Sequence, residues 1–335
     1  MSRSEIIFLA MTALTTTMLA QPSTMVAQGS GWPPTAGHMT MPIWPGAAPG
    51  APTNVRPEAD LTTAKDNLIA GRPLIRLGNV VTPTITLYKA KGAGSAAGPA
   101  IVVFSGGGYN ILAIDLEGTE VCDWLTGAGV NCVLLKYRVP DTGPYPKSSA
   151  ALQDAQRAIQ LVRLHGKEWG VDTHAVGILG FSAGGHLVAA TSTQFERRLY
   201  SPVDAADAES CRPDFAVALY PGHLSFSGYA SDRKVGGHAV AGGRPPGNGF
   251  EISPVIHVTA RTPPTFLLQA EDDGVDGVEN SLAYYAALKQ AGVPTELHLY
   301  AQGGHAFGLR PTQQAITAWP QLVETWLRTI GMISE

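Results

Sequence analysis

Charge is scarce in this chain. Asp, Glu, Lys and Arg make up 15% of the 335 residues, with 23 basic against 27 acidic and a formal net charge of −4. No segment carries five or six like charges in a row, so the basic footprint of a nucleic-acid or anionic-membrane binder is missing. Cysteine is scarcer still. Cys122, Cys132 and Cys211 are too few for a disulfide scaffold, and none has metal-ligand spacing. One bridge is open to them, but free buried thiols are the preferred reading, because Cys122 falls in a helical pattern and Cys132 in a strand pattern, each as a small core residue. Long apolar runs are also lacking: the stretch from Ile6 to Ala20 is short of the ~18 residues a membrane-spanning helix needs, and nothing later approaches that length. What the chain has in quantity is small and apolar. Hydrophobic residues make up 44%, with 38 Gly and 25 Pro, which allows a packed core and stays below the ~25–30% Gly plus Pro at which low complexity becomes the default.

The first residues read as an address. Arg3 precedes the apolar, Thr-rich run to Ala20, with small-residue ends at Ala20 and Ala27, so residues 1–27 are expected to be a secretory signal peptide cleaved near one of those positions. Residues 28–59 are rich in Pro, Gly, Ala and Met with no periodicity, as in Pro45-Gly46-Ala47-Ala48-Pro49-Gly50, and are expected to be an extended arm or linker on the surface. That leaves residues 60–335 as one globular domain.

Within it, short apolar runs alternate with helical patterns. Ile101–Phe104, Val130–Leu135, Ala175–Leu179, Phe215–Tyr220, Thr265–Gln269 and Thr295–Tyr300 predict strands, and Thr84–Tyr88 alternates like a half-buried one. Residues 115–128, 147–166, 281–290 and 313–330 predict helices. This alternation is the signature of an α/β fold, a mostly parallel sheet with helices on both faces. The stretch from Gly222 to Phe250 is Gly-rich without a period and reads as a long functional loop.

Gly180-Phe181-Ser182-Ala183-Gly184 is a G-x-S-x-G lying directly after a predicted strand and before a helical pattern. That context suits a nucleophilic serine on a tight strand-to-helix turn, where flanking side chains would clash unless small or absent. A serine hydroxyl is a weak nucleophile and needs an imidazole base, itself oriented by a third group. In this architecture the order is Ser, acid, His. His305 follows the last predicted strand and lies at the carboxyl edge of the sheet; His186 falls inside a helix, His298 inside a strand, and His223, His238 and His257 precede any plausible acid. For the acid, Glu271-Asp272-Asp273 ends a strand at the same edge. Asp273 is favoured, with Asp272 and Asp276 as alternatives. The oxyanion produced by attack needs N–H donors. Ala183 at a helix start offers one, and the loop Ser105-Gly106-Gly107-Gly108-Tyr109 is placed to offer others, since glycine lets backbone N–H groups approach a ligand.

Together these segments, over roughly residues 75–330, resemble the α/β-hydrolase superfamily, and within it secreted bacterial carbohydrate esterases of the acetylxylan and feruloyl esterase type, related to the hormone-sensitive-lipase group. Further likeness lies in Asp115-Leu116-Glu117-Gly118, Leu135-Lys136-Tyr137-Arg138, Ser253-Pro254, Val278-Glu279-Asn280-Ser281 and Gly303-Gly304-His305-Ala306-Phe307-Gly308. The resemblance implies an α/β-hydrolase fold, an oxyanion hole of Gly107, Gly108 and Ala183, and substrate contacts from Tyr109 and Arg138. Two positions depart from the pattern. Ser105 stands where relatives have His, and Asp276-Gly277 where they often have Val-Pro.

The expected function is an exported serine esterase acting on short acyl esters, deacetylating xylan or xylo-oligosaccharides through Ser182, His305 and Asp273. No metal or organic cofactor is implied, and the expected partner is an acylated carbohydrate or small ester, with no nucleic acid and no membrane insertion after cleavage. The alternatives are a feruloyl esterase, a broad short-chain carboxylesterase, more distantly an arylformamidase, and a catalytically silent binding protein of the same fold.

Overall fold

In a computed structural model, the protein is described at residue 32 and over residues 36–53, 56–92, 97–140, 149–225, 234–235, 238–239 and 250–334. The expected signal peptide lies outside these residues, as does most of the loop that follows Gly222. Among the described residues, no helix is long and apolar enough to cross a membrane.

Eight strands form the central sheet: β1 (Met39–Pro42), β2 (Thr84–Tyr88), β3 (Gly98–Phe104), β4 (Asn131–Lys136), β5 (Val171–Phe181), β6 (Ala216–Leu219), β7 (Thr265–Ala270) and β8 (Thr295–Tyr300). Their order across the sheet is β1-β2-β4-β3-β5-β6-β7-β8. β1 pairs antiparallel with β2, and β2 antiparallel with β4; from β4 to β8 every pairing is parallel. The parallel strands read as continuous apolar runs because helices cover both sides. Ile101 to Phe104, and Ala216 to Leu219, are fully buried.

The main helices are α1 (Glu120–Gly127), α2 (Ser149–Leu164), α3 (Ala183–Thr193), α4 (Glu279–Gln290) and α5 (Trp319–Thr329). α2 forms where predicted, since Leu152, Ala155, Ile159 and Val162 fall on one face and are all buried. Each such aliphatic side chain contributes roughly 1.5–3 kcal/mol by leaving water. Trp319, at the start of α5, stacks edge-on against Trp124 of α1 with centroids 5.0 Å apart, joining those two helices.

Two expectations are corrected. The described part of the arm expected at residues 28–59 is no surface linker: β1 is the edge strand of the main sheet, and Ile43, Trp44 and Ala48 are buried in the core. Polar groups bolt it in place. Trp44 Nε1 donates to Asp154 Oδ1 at 2.8 Å, Arg157 Nε to the Ile43 carbonyl at 2.9 Å, and Lys136 Nζ pairs with Glu58 at 2.9 Å. The Pro/Gly-rich composition hid this because its few apolar anchors follow no period. Second, Cys122 and Cys132 are joined in a disulfide linking α1 to β4, leaving Cys211 free. Their patterns did not reveal the pairing, because helix and strand become neighbours only when the sheet assembles.

Candidate active site

Ser182 sits where β5 passes into α3, with φ of 52° and ψ of −118°. The turn is tight enough that both flanking glycines are obligatory. A Cβ on Gly180 would lie 2.2 Å from the Gly184 carbonyl oxygen, and one on Gly184 would lie 2.1 Å from the Phe104 carbonyl oxygen. Glycine at these two positions lets the chain reverse with the serine side chain projecting from the sheet edge, at the N-terminus of a buried helix.

Two further parallel strands deliver the remaining groups to the same edge. His305 follows β8 and Asp273 follows β7. His305 Nε2 is 3.0 Å from Ser182 Oγ, and its Nδ1 is 2.7 Å from Asp273 Oδ2. Asp273 is itself held: its Oδ1 accepts from the Val275 and Asp276 amides at 2.9 and 3.0 Å. The other members of the acidic group part company. Asp272 Oδ1 accepts from the amides of Gly303 and Gly304, at 2.8 and 2.7 Å, and so shapes the loop that carries His305. Glu271 is exposed. Asp276 is on the other side of the imidazole, its Oδ2 3.8 Å from Nε2 and 3.3 Å from Ser182 Oγ.

Burial alone would lower the pKa of His305, but the hydrogen bond and charge of Asp273, with Asp276 and Glu117 behind, outweigh it and raise the pKa above the ordinary histidine value. A base is competent only when unprotonated. The acid limb of kcat/KM is therefore expected at higher pH than free histidine would give, and Asp276→Asn, which removes one of the raising charges, is expected to move it toward lower pH. A pH–rate profile of the two proteins checks the sign.

The candidate donors border the same cavity. Gly107 and Gly108 line the same cavity as Ser182 and His305, and both adopt positive φ, 128° and 61°. A side chain at Gly107 would meet the Ile111 carbonyl at 2.1 Å. The amides of Gly107, Gly108 and Ala183 make no hydrogen bond to another described residue. Backbone N–H groups without a partner among the described residues, beside a hydroxyl, are suited to a developing oxyanion.

Beneath them lies a group the sequence argument used only as part of a motif. Glu117 is 2% exposed, accepts from the Gly106 amide at 2.6 Å through Oε2, and from the Tyr220 hydroxyl at 2.9 Å through Oε1. Burial pushes its carboxyl pKa up against the lowering effect of these bonds. It thus ties the glycine loop to the strand edge beside Ser182. Where the hormone-sensitive-lipase pattern has His, Ser105 supports the loop differently: its Oγ donates to the Glu117 carbonyl at 3.3 Å, and its own carbonyl accepts from Tyr137 at 2.6 Å. Glu117→Ala strands two buried donors at about 1–3 kcal/mol each and loosens the loop. Turnover is expected to fall on the order of 10²-fold, with Glu117→Gln recovering part of it, as steady-state kinetics and thermal melts would show.

Neither expected substrate contact sits in the cavity. Arg138 is 5% exposed and fully engaged, with Asp154 at 2.9 Å, the Pro49 carbonyl at 2.6 Å, and Ala150 and Gln153. Its guanidinium pins the N-terminal arm to α2, so the substrate role is corrected to a structural one. Tyr109 is 3% exposed, with its hydroxyl 2.7 Å from His186 Nδ1 under the nucleophile helix. Burial lowers the His186 pKa to about 3 and keeps the imidazole neutral. Tyr109 is corrected likewise.

The cavity over Ser182 has a volume of about 700 Å³ and is lined by apolar residues such as Leu74, Ile111, Leu116 and Val275 and by polar groups that no sequence pattern placed there, among them Asn67, Arg76, His223 and Glu279. Asn67 and Arg76 precede the alternating pattern of elements, and His223 begins the aperiodic stretch. No periodicity pointed to any of them.

Comparison with known proteins agrees with this fold. The α/β hydrolase fold family matches residues 101–309, more than half of the chain and the segment holding all three residues of the Ser182–His305–Asp273 chain. An acetylxylan esterase of Xylanibacter ruminicola is 29% identical over 250 residues, 70% of this chain and 46% of that protein. An endo-1,4-beta-xylanase B of Butyrivibrio fibrisolvens is 28% identical over 206 residues, 61% of this chain and 32% of that protein. The chain therefore spans less than half the length of these two relatives. Among solved structures, an acetyl ester-xyloside bifunctional hydrolase from Caldicellulosiruptor lactoaceticus is similar with a TM-score of 0.67 and 32% identity, over 93% of this chain and all of that one. Thermogutta terrifontis esterase 2 phosphorylated by paraoxon follows with a TM-score of 0.61 and 26% identity, over 76% of this chain and 92% of that one. By its sequence match, its sheet order and the turn on which Ser182 stands, the chain belongs to the α/β hydrolase fold family.

Proposed function

We propose that this protein is an exported serine esterase that removes short acyl groups, acetyl above all, from xylan or xylo-oligosaccharides. The observation that carries the reading is the hydrogen-bonded chain from Asp273 through His305 to Ser182 at the floor of an open cavity. Ser182 Oγ attacks the ester carbonyl while His305 Nε2 takes its proton. The amides of Gly107, Gly108 and Ala183 receive the oxyanion. His305 then returns the proton to the departing alkoxide, and water repeats the sequence on the acyl-enzyme.

The relatives named acetylxylan esterase and acetyl ester-xyloside hydrolase support the acetyl and xyloside parts of the reading. Asn67, Arg76, His223 and Glu279, set among apolar residues such as Leu74, Ile111 and Val275, add polar groups that a sugar hydroxyl could meet. Export is supported by the signal-like first residues and by the Cys122–Cys132 disulfide, a bond that persists in oxidising compartments.

A hydrolysis panel tests it: acetylated xylan, p-nitrophenyl acetate, butyrate and octanoate, and methyl ferulate. Acetate release from xylan with declining rates on longer chains is the expected result. Activity confined to ferulate or octanoate would sink the substrate assignment and leave the mechanism standing.

A further inference from the structure

Asp276 is a second carboxylate at the reacting atoms, and the Ser182–His305–Asp273 chain does not use it. Its Oδ2 is 3.3 Å from Ser182 Oγ and 3.8 Å from His305 Nε2. Ser182 has a single hydroxyl proton, and the nearer acceptor is His305 at 3.0 Å. The carboxylate is therefore not required to orient the nucleophile.

It is nevertheless firmly placed. Its amide donates to Asp273 Oδ1 at 3.0 Å, and its carbonyl accepts from Gln269 Nε2 at 2.5 Å. Gly222 packs so closely on the carboxyl that a Cβ there would lie 2.4 Å from Oδ1. The side chain is 14% exposed, facing the cavity it lines with His223 and Glu279. Burial raises its pKa, with the charge of His223 and His305 acting the other way. An acceptor so poorly solvated gains from any donor a ligand brings.

The chemistry says where that donor comes from. In acylation the bond from Ser182 Oγ to the carbonyl carbon forms and the bond from that carbon to the alcohol oxygen breaks, while the proton taken by His305 Nε2 passes to the leaving oxygen. That oxygen must therefore come within hydrogen-bond reach of Nε2. Asp276 Oδ2 lies on that same Nε2 side of the imidazole, 3.8 Å from Nε2, and lines the cavity the alcohol half would enter. A hydroxyl on the carbon next to the ester oxygen would face it.

We infer that Asp276 is a specificity-determining residue that accepts a hydrogen bond from a hydroxyl adjacent to the scissile ester, so that the site selects monoesters of vicinal diols, as in partly acylated sugars. This rests on the esterase reading above, and it concerns the alcohol half of the substrate, whatever the acyl group.

The test uses two esters of one acid that differ by a single hydroxyl, ethyl acetate and 2-hydroxyethyl acetate. For an acyl-enzyme mechanism kcat/KM reports only steps through acylation, so the shared deacylation drops out of the comparison. In Asp276→Val the ratio of kcat/KM for the hydroxyethyl ester to that for the ethyl ester is expected to fall at least about tenfold below wild type. Asp276→Asn, which keeps a carbonyl acceptor, is expected to lie between. Labelling of Ser182 by a fluorophosphonate, with circular dichroism, shows that each variant is folded with its nucleophile accessible. A ratio unchanged in Asp276→Val, even with both rate constants lowered together, would mean that the residue only positions Ser182 and His305, and would overturn the inference. If wild type hydrolyses neither ester, the esterase reading itself fails and this inference falls with it.

Discussion

Ser182→Ala is expected to lower kcat on p-nitrophenyl acetate by at least about 10⁴-fold and to abolish fluorophosphonate labelling, with little change in melting temperature. The size follows from the roles. Removing the nucleophile leaves binding and the oxyanion donors but no acyl-enzyme. The small thermal effect follows from the contacts, since among the described residues Ser182 Oγ bonds His305 and Asp276, both lining the cavity rather than the core. Asp273→Asn is the sharper companion. It keeps the shape of the acid but presents an amide to Nδ1, which favours the wrong tautomer and is expected to cost about 10⁴-fold in kcat. Rates equal to wild type in either variant would exclude the Ser182–His305–Asp273 mechanism. Retained labelling with no turnover in wild type would point instead to the silent-binder alternative.

Arg138→Ala is expected to destabilise the fold by about 3–5 kcal/mol while leaving KM for small acetate esters close to wild type. Arg138 and Asp154 are 5% and 0% exposed, and removing the guanidinium leaves the carboxylate buried with only the Arg138 amide and Trp44 Nε1 as donors. It also frees the Pro49 carbonyl, so the first effect is expected in the N-terminal arm. Denaturant unfolding measures the stability loss, and hydrogen exchange at Ile43 and Trp44 locates it. A raised KM with unchanged stability would restore the substrate-contact role that the resemblance implied. Asp154→Ala, which strands the buried cation instead, is expected to be at least as damaging.

Much of this molecule was legible before any coordinates. The inner parallel strands could be read because they are buried on both faces and so appear as nearly unbroken apolar runs; Thr265–Ala270, buried throughout, exceeds its predicted range by one residue. Ser182 and His305 stood out because the chemistry demands a particular local context: a glycine-flanked turn after a strand for one, and a loop after the last strand for the other. Sequence order left Asp272, Asp273 and Asp276 in contention. Distance decided which of them meets Nδ1.

What escaped the sequence shares one cause. Periodicity reports how a segment meets a neighbouring layer, and it is silent where a few anchors act singly. Trp44 and Ile43 hold the arm in the core through Asp154 and Arg157, partners more than a hundred residues away. Arg138 looked like a binding group because a cation in a motif carries no mark of burial. Glu117 and Asp276 are carboxylates whose meaning depends wholly on which side of the Ser182–His305 pair they occupy. Sequence alone therefore determined the layered α/β architecture and singled out the Ser182 and His305 that lie within hydrogen-bond distance of each other, because each is written in local pattern and chain order. Tertiary structure decided which carboxylate meets His305 Nδ1, the support of the glycine loop, the Cys122–Cys132 pairing and the mixed lining of the cavity, because those depend on through-space distances set only when the sheet brings separate segments together.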